Sequence, residues 1–141
     1  MQKKMNRSGP IIIIEDSVDD QEMLRVAFNK INCTNEVIFF IESEKAYEWI
    51  KNSEVQAFLI ISDINIPGLS GIELRDRLHA DPVIKMKCIP FIFLTTSRAS
   101  NPLMAAYSNS AQGFFFKPME ISSLANMLTA IIEYWKLSES P

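Results

Sequence analysis

Five short apolar runs, separated by stretches of helical pattern, constrain this chain more than any other feature. They cover residues 11–14, 37–41, 57–61, 91–94 and 114–116. Inside each run the apolar residues are near-continuous instead of alternating. A strand with one wet face alternates with period two, whereas a strand covered on both faces does not. The runs therefore predict a parallel sheet sandwiched between helices. The intervening segments agree. Leu24, Ala27, Phe28 and Ile31 fall at i, i+3, i+4 and i+7, one face of a helix. Ala46, Trp49 and Ile50 repeat the start of that pattern, and Leu74 and Leu78 sit four apart after the turn-rich Pro67-Gly68-Leu69-Ser70-Gly71. Residues 103–107 predict a short, weaker helix behind Asn101-Pro102, and Leu124, Leu128, Ile131 and Trp135 would line the last one. Regular β-α alternation with short connections predicts a doubly wound α/β domain with a five-stranded parallel sheet.

At 141 residues and 48% hydrophobic content the chain suits one domain with a full core. The expected organisation is a flexible N-terminal segment over 1–9, the domain over 10–137 and a polar tail over 138–141, with no output domain. A net charge of −3 without a basic stripe argues against direct nucleic-acid binding. Apolar runs this short argue against a membrane span, and residues 11–14 are too few for a signal-peptide core. The expected location is cytoplasmic. Cys33 and Cys88 lack a CxxC partner or nearby histidine, so they read as small, partly buried hydrophobes. His79, the one histidine, follows Arg75-Asp76-Arg77 and reads as a surface helix residue.

The ends of the runs carry the chemistry. Residues 11–14 lead into Glu15-Asp16, residues 57–61 lead through Ser62 into Asp63, and residues 114–116 lead into Lys117-Pro118. In open α/β sheets, ligands bind outside the carboxyl ends of the strands, where the strand order reverses. If the first and third strands are neighbours, three carboxylates crowd one crevice. Like charges that close are unfavourable unless a cation joins them. Oxygen donors without His or Cys favour a hard divalent ion such as Mg²⁺.

This set resembles the receiver domains of bacterial two-component response regulators, of the single-domain, chemotaxis-regulator kind. The resemblance rests on Glu15-Asp16, on Asp63-Ile64-Asn65-Ile66-Pro67 with Gly71 beyond it, on Thr95 closing a strand, and on Lys117-Pro118. Thr95 follows Asp63 by 32 residues (95 − 63) and Lys117 follows Thr95 by 22 (117 − 95), both ordinary for that family. The match runs in register over residues 10–136.

The resemblance implies a flavodoxin-like receiver fold with strand order 2-1-3-4-5. It implies that Asp63 is the phosphoacceptor, charged from a sensor histidine kinase or phosphotransfer protein. Mg²⁺ would be held by Asp16, Asp63 and the backbone carbonyl of Asn65, with Glu15 acting mostly through metal-bound water. Lys117 would pair with a second phosphoryl oxygen and the Thr95 hydroxyl with a third, and a cis Lys117-Pro118 bond would help aim the lysine. Phe114 matches the family's aromatic switch residue, coupled to Thr95. Thr96 stands where the family more often has a small residue, which narrows access to the phosphoryl group. Such a protein is a signalling protein that catalyses only its own phosphorylation and dephosphorylation. Its output would be contact with a downstream protein target or onward phosphotransfer, and a homodimer is expected if it resembles the phytochrome-associated regulators. The segment Phe91 to Ser97 and the late Glu133-Tyr134-Trp135 also resemble single-domain regulators paired with bacterial phytochrome-type or hybrid kinases.

Other classes fit less well. A pseudo-receiver adaptor, binding partners without phosphorylation, usually lacks members of this set, which is intact here. An aspartate-nucleophile phosphatase needs a second Asp two residues after the nucleophile, where Asn65 stands. A flavodoxin-type flavin carrier needs a Ser/Thr/Gly-rich loop after the first strand, and the acids of residues 15–20 would repel a phosphate there. Kinase choice is expected to lie on the first helix, residues 19–31, and nearby loops. The last helix has a second apolar face of Met127, Ala130, Tyr134 and Leu137, which suits either a partner or a wide buried surface.

Overall fold

Four consecutive isoleucines form the first strand, β1 (Ile11–Ile14), and all four are buried. Successive strand residues point to opposite faces. Ile11 and Ile13 accordingly enter one hydrophobic cluster, and Ile12 and Ile14 enter the other. One sheet thus divides the core into two layers. A computed structural model describes this arrangement for residues 5–96 and 111–139. The remaining strands are β2 (Val37–Phe40), β3 (Leu59–Ser62), β4 (Phe91–Thr95) and β5 (Gly113–Phe116). They form a parallel sheet in the order β2-β1-β3-β4-β5, as expected.

The helices are α1 (Val18–Asn29), α2 (Ser43–Asn52), α3 (Gly71–Ala80), α4 (Pro82–Lys85) and α5 (Ile121–Leu137). Leu24, Ala27 and Phe28 of α1 pack with Leu124, Leu128 and Ile131 of α5 over one face. Ala46 and Ile50 of α2, Leu74 and Leu78 of α3 and Ile84 of α4 cover the other. Phe58 is wholly buried in the first of these layers and Phe93 in the second. Burying an aromatic of that size contributes about 1.5–3 kcal/mol.

Local signals start the helices on the site's side of the sheet. Ser17 caps α1 by accepting a hydrogen bond from the Asp20 amide at 3.3 Å. Ser70 and Glu73 form a reciprocal capping box at α3. The turn before α3 needs Gly68, whose φ is +82°, a conformation that costs glycine little. Asp81 caps the short α4, with Pro82 at its first position.

Several expectations need adjusting. The central strands β1, β3 and β4 are buried throughout, but β2 and β5 are half-buried, because they lie at the sheet edges. β3 starts at Leu59 and runs to Ser62, although Ala57 and Phe58 are also buried. Helix α4 was not read from the sequence, and the helix expected over 103–107 lies outside the described residues. Residues 6, 7 and 9 of the N-terminal segment hydrogen-bond to the domain. Asn6 donates to the Gln56 carbonyl at 2.9 Å, Asn35 donates to the Arg7 and Gly9 carbonyls, and Lys136 donates to the Arg7 carbonyl at 2.8 Å. The tail is held from its near end, where Arg7 pairs with Glu139 at 3.5 Å. Cys33 and Cys88 form no disulfide, and His79 is exposed on α3. No helix among the described residues is long and apolar enough to cross a membrane.

Candidate functional site

Parallel pairing puts every strand's carboxyl end on one edge of the sheet, and the register sets what meets there. Ile14 lies opposite Ser62, so Glu15 and Asp63 leave the sheet side by side. The Asp63 amide donates to the Ile14 carbonyl at 3.0 Å, and the Glu15 amide donates to the Phe40 carbonyl at 2.9 Å. Across the sheet Thr95 lies opposite Phe116, and the Lys117 amide donates to the Thr95 carbonyl at 2.9 Å. Each of these bonds carries the ladder one step past the strand. The backbone at Glu15, Asp63 and Lys117 is therefore fixed by the sheet and not by a loose loop.

The side chains converge from there. Lys117 Nζ donates to Glu15, to Asp20 Oδ2 at 3.0 Å and to Asp63 Oδ2 at 3.3 Å. The Lys117, Glu15 and Asp63 side chains are 6%, 2% and 9% exposed, and Asp20 is 33% exposed at the rim. Oδ1 of Asp63 faces its own loop, where it accepts from the Ile64 amide at 2.6 Å and the Asn65 amide at 3.4 Å. Gly71 permits the loop to fold this closely. Its amide donates to the Ile64 carbonyl at 2.9 Å, and a Cβ there would sit 2.1 Å from the Asp63 carbonyl oxygen.

Burial dominates the electrostatics. Desolvation pushes the Glu15 carboxyl up from 4.5 to about 7, against the opposing pull of its bond to Lys117, and the nearby Asp63 charge adds to the rise. Burial also pulls the Lys117 ammonium down. The hydrogen bond and charge of Glu15, with Asp63 and Asp20, outweigh it and hold the lysine above its ordinary value. Lys117 is thus a firmly charged cation among several acids in the crevice.

Glu15, Asp16 and Asp63 offer carboxylate oxygens that all lie within 4.8 Å of one another. An all-oxygen set of this size fits a hard divalent cation, and exposed Asp16 gives it a wet side where a hydrated ion keeps its waters. Asn65 is exposed in the loop beside Asp63. Thr95 is fully buried at the end of β4, and Thr96 is exposed. Phe114 is half-buried against the α2–α4 layer, edge-on to Phe116 at 5.3 Å between ring centroids.

Two findings depart from expectation. No cis peptide bond occurs among the described residues, so the Lys117–Pro118 bond expected to be cis is trans; contacts with three carboxylates aim the lysine instead. Sequence reasoning also missed Asp20 as a lysine partner. Its signal was the Ser17 cap, which puts Asp20 in the first turn of α1, above the carboxyl end of β1.

Residues 11–129 match the family model described as response regulator receiver domain. Response regulator Rcp1 of Synechocystis sp. is 24% identical over 144 residues, covering 96% of this chain and 94% of that protein. Among solved structures, the phosphorylated cyanobacterial phytochrome response regulator RcpA superposes with a TM-score of 0.80 at 22% identity, covering 94% of this chain and 98% of that one. The Mn(2+)-bound form of response regulator Rcp1 gives 0.77 at 23% identity, covering 94% and 99%. The likeness to these two structures is one of fold.

Proposed function

The chain belongs to the response regulator receiver domain family, and from that premise we propose that Asp63 accepts a phosphoryl group from a partner's phosphohistidine. The observation that carries this reading is the convergence of Lys117 on Asp63 Oδ2, inside a cluster of carboxylates suited to a divalent cation. Oδ1 is occupied by two backbone amides, so Oδ2 is the nucleophile. As Oδ2 bonds to phosphorus, the phosphorus–nitrogen bond to the donor imidazole breaks and the imidazole leaves, taking up a proton. Little covalent work falls to the protein in such a transfer; positioning and charge stabilisation do most of it.

Each residue then has a place. Lys117, already 3.3 Å from Oδ2, meets a phosphoryl oxygen bonded there. The Thr95 hydroxyl takes another, from the neighbouring strand end. Asp16, Asp63 and the Asn65 carbonyl would hold Mg²⁺, with Glu15 acting mostly through its bound water, and the ion would neutralise charge on the phosphoryl oxygens. Phosphorylation replaces one carboxylate by a group of greater negative charge, and this biases Thr95 and Phe114 toward a second packing. Phe114 is half-buried on edge strand β5. The phosphodonor is a sensor histidine kinase or phosphotransfer protein. The output is protein contact with a downstream target.

The test is location of the acyl phosphate. After incubation with acetyl phosphate and Mg²⁺, borohydride reduction converts an aspartyl phosphate to homoserine, which tandem mass spectrometry maps. Homoserine at position 63 is the expected result. A phosphoryl group mapped to any other acid overturns the assignment.

A further inference from the structure

The role of Asp20 is not explained by metal binding or phosphoryl acceptance. It lies outside the set of carboxylates that approach within 4.8 Å of one another, yet it holds Lys117 Nζ at 3.0 Å. We infer that Asp20 is a positioning residue that keeps Lys117 in the crevice when a divalent cation takes Glu15 and Asp63. This inference rests on the divalent-cation reading of the same crevice.

An ammonium has three protons, and here Glu15, Asp20 and Asp63 accept one each. A cation bound to Glu15 and Asp63 competes for their lone pairs and repels the ammonium. Lys117 is 6% exposed, so it has little water to retreat to. Asp20 is the one carboxylate partner that lies outside the candidate metal group. It is also rigidly placed. The Ser17 hydroxyl holds the Asp20 amide, and Leu24, one turn further along α1, is buried in the core. With Asp20 present, the lysine can give up Glu15 and Asp63 while keeping one charge-assisted bond. Without it, Lys117 clings to the two acids that the metal needs, and metal binding weakens.

A Mg²⁺ titration followed by amide NMR shifts tests this without any phosphoryl transfer. Asp20→Asn is expected to weaken Mg²⁺ binding roughly fivefold, as befits a partly exposed charge-assisted contact. Asp20→Glu, which keeps the acceptor, is expected to stay within about twofold of the wild type. In a Lys117→Met background the effect of Asp20→Asn should shrink below about twofold, because only a long-range charge effect remains. Should that background fail to fold, salt decides. A direct contact keeps most of the fivefold loss in high salt, whereas a long-range effect is screened away. An equal loss in both backgrounds, a loss abolished by salt, or no loss overturns the role of Asp20 alone. Absence of Mg²⁺ binding by the wild type overturns the cation reading together with this inference.

Discussion

Replacing Lys117 by methionine removes the cation that, among the described residues, contacts Glu15, Asp20 and Asp63, while roughly keeping side-chain volume. Taking one partner from a buried ion pair costs about 3–5 kcal/mol, because the other is left as an uncompensated buried charge. Two features lower that figure here. Glu15 already sits near pKa 7 and can take a proton, and Asp20 is partly exposed to water. The expected loss at pH 7.5 without metal is therefore near the bottom of the range, about 3 kcal/mol. Divalent cation should reverse it, since a bound ion supplies the missing positive charge to the same carboxylates. Ligand at a hundred times its dissociation constant stabilises a fold by about 2.7 kcal/mol. Urea unfolding in EDTA and in Mg²⁺ reads both quantities, with an unchanged denaturant slope expected. The variant should gain more from Mg²⁺ than the wild type, whose lysine must first be displaced. A variant as stable as the wild type in EDTA, or one equally impaired with and without Mg²⁺, refutes the charge balance described here.

Two further outcomes follow from the site. In metal-free buffer the folded Glu15 keeps its proton up to about pH 7, whereas the unfolded residue releases it near 4.5. Folding then binds a proton between those values, so the Glu15 contribution to stability falls as pH rises through that window. Urea titrations at pH 5 and pH 8 should show the wild type losing stability relative to Glu15→Gln; parallel behaviour contradicts the raised value. Gly71→Ala forces a Cβ to within 2.1 Å of the Asp63 carbonyl oxygen. It should cost about 1–3 kcal/mol, as overpacking does, and weaken Mg²⁺ binding because the displaced segment carries Asp63. Wild-type Mg²⁺ affinity in that variant counts against the loop's positioning role.

Much of the fold was legible because burial leaves a plain mark on sequence. β1, β3 and β4 are covered on both faces, so their residues are apolar without a break. The edge strands β2 and β5 read equally apolar, as Val37-Ile38-Phe39-Phe40 and Phe114-Phe115-Phe116, yet they are only half-buried. Pattern reports what a residue prefers and not how many neighbours the sheet supplies. The acids at 15, 16 and 63 and the lysine at 117 were visible as polar residues ending apolar runs, and parallel register brings them together. Asp20 was less visible. Its link to Lys117 spans 97 residues, and an acid in a helix's first turn has a sufficient local reason to be there. Arg75 shows the same limit from the opposite side. It stands in a charged stretch of α3 that reads as solvated, but only 5% of it is exposed. Burial, not sequence pattern, lifts the Glu15 carboxyl toward neutrality.

The most direct measurement of the central claim is the intact mass after incubation with acetyl phosphate, with and without Mg²⁺, for the wild type and Asp63→Asn. A gain of about 80 Da, one phosphoryl group, is expected for the wild type in Mg²⁺ alone. The same gain in Asp63→Asn, or no gain in a wild type that binds Mg²⁺, contradicts Asp63 as the phosphoacceptor.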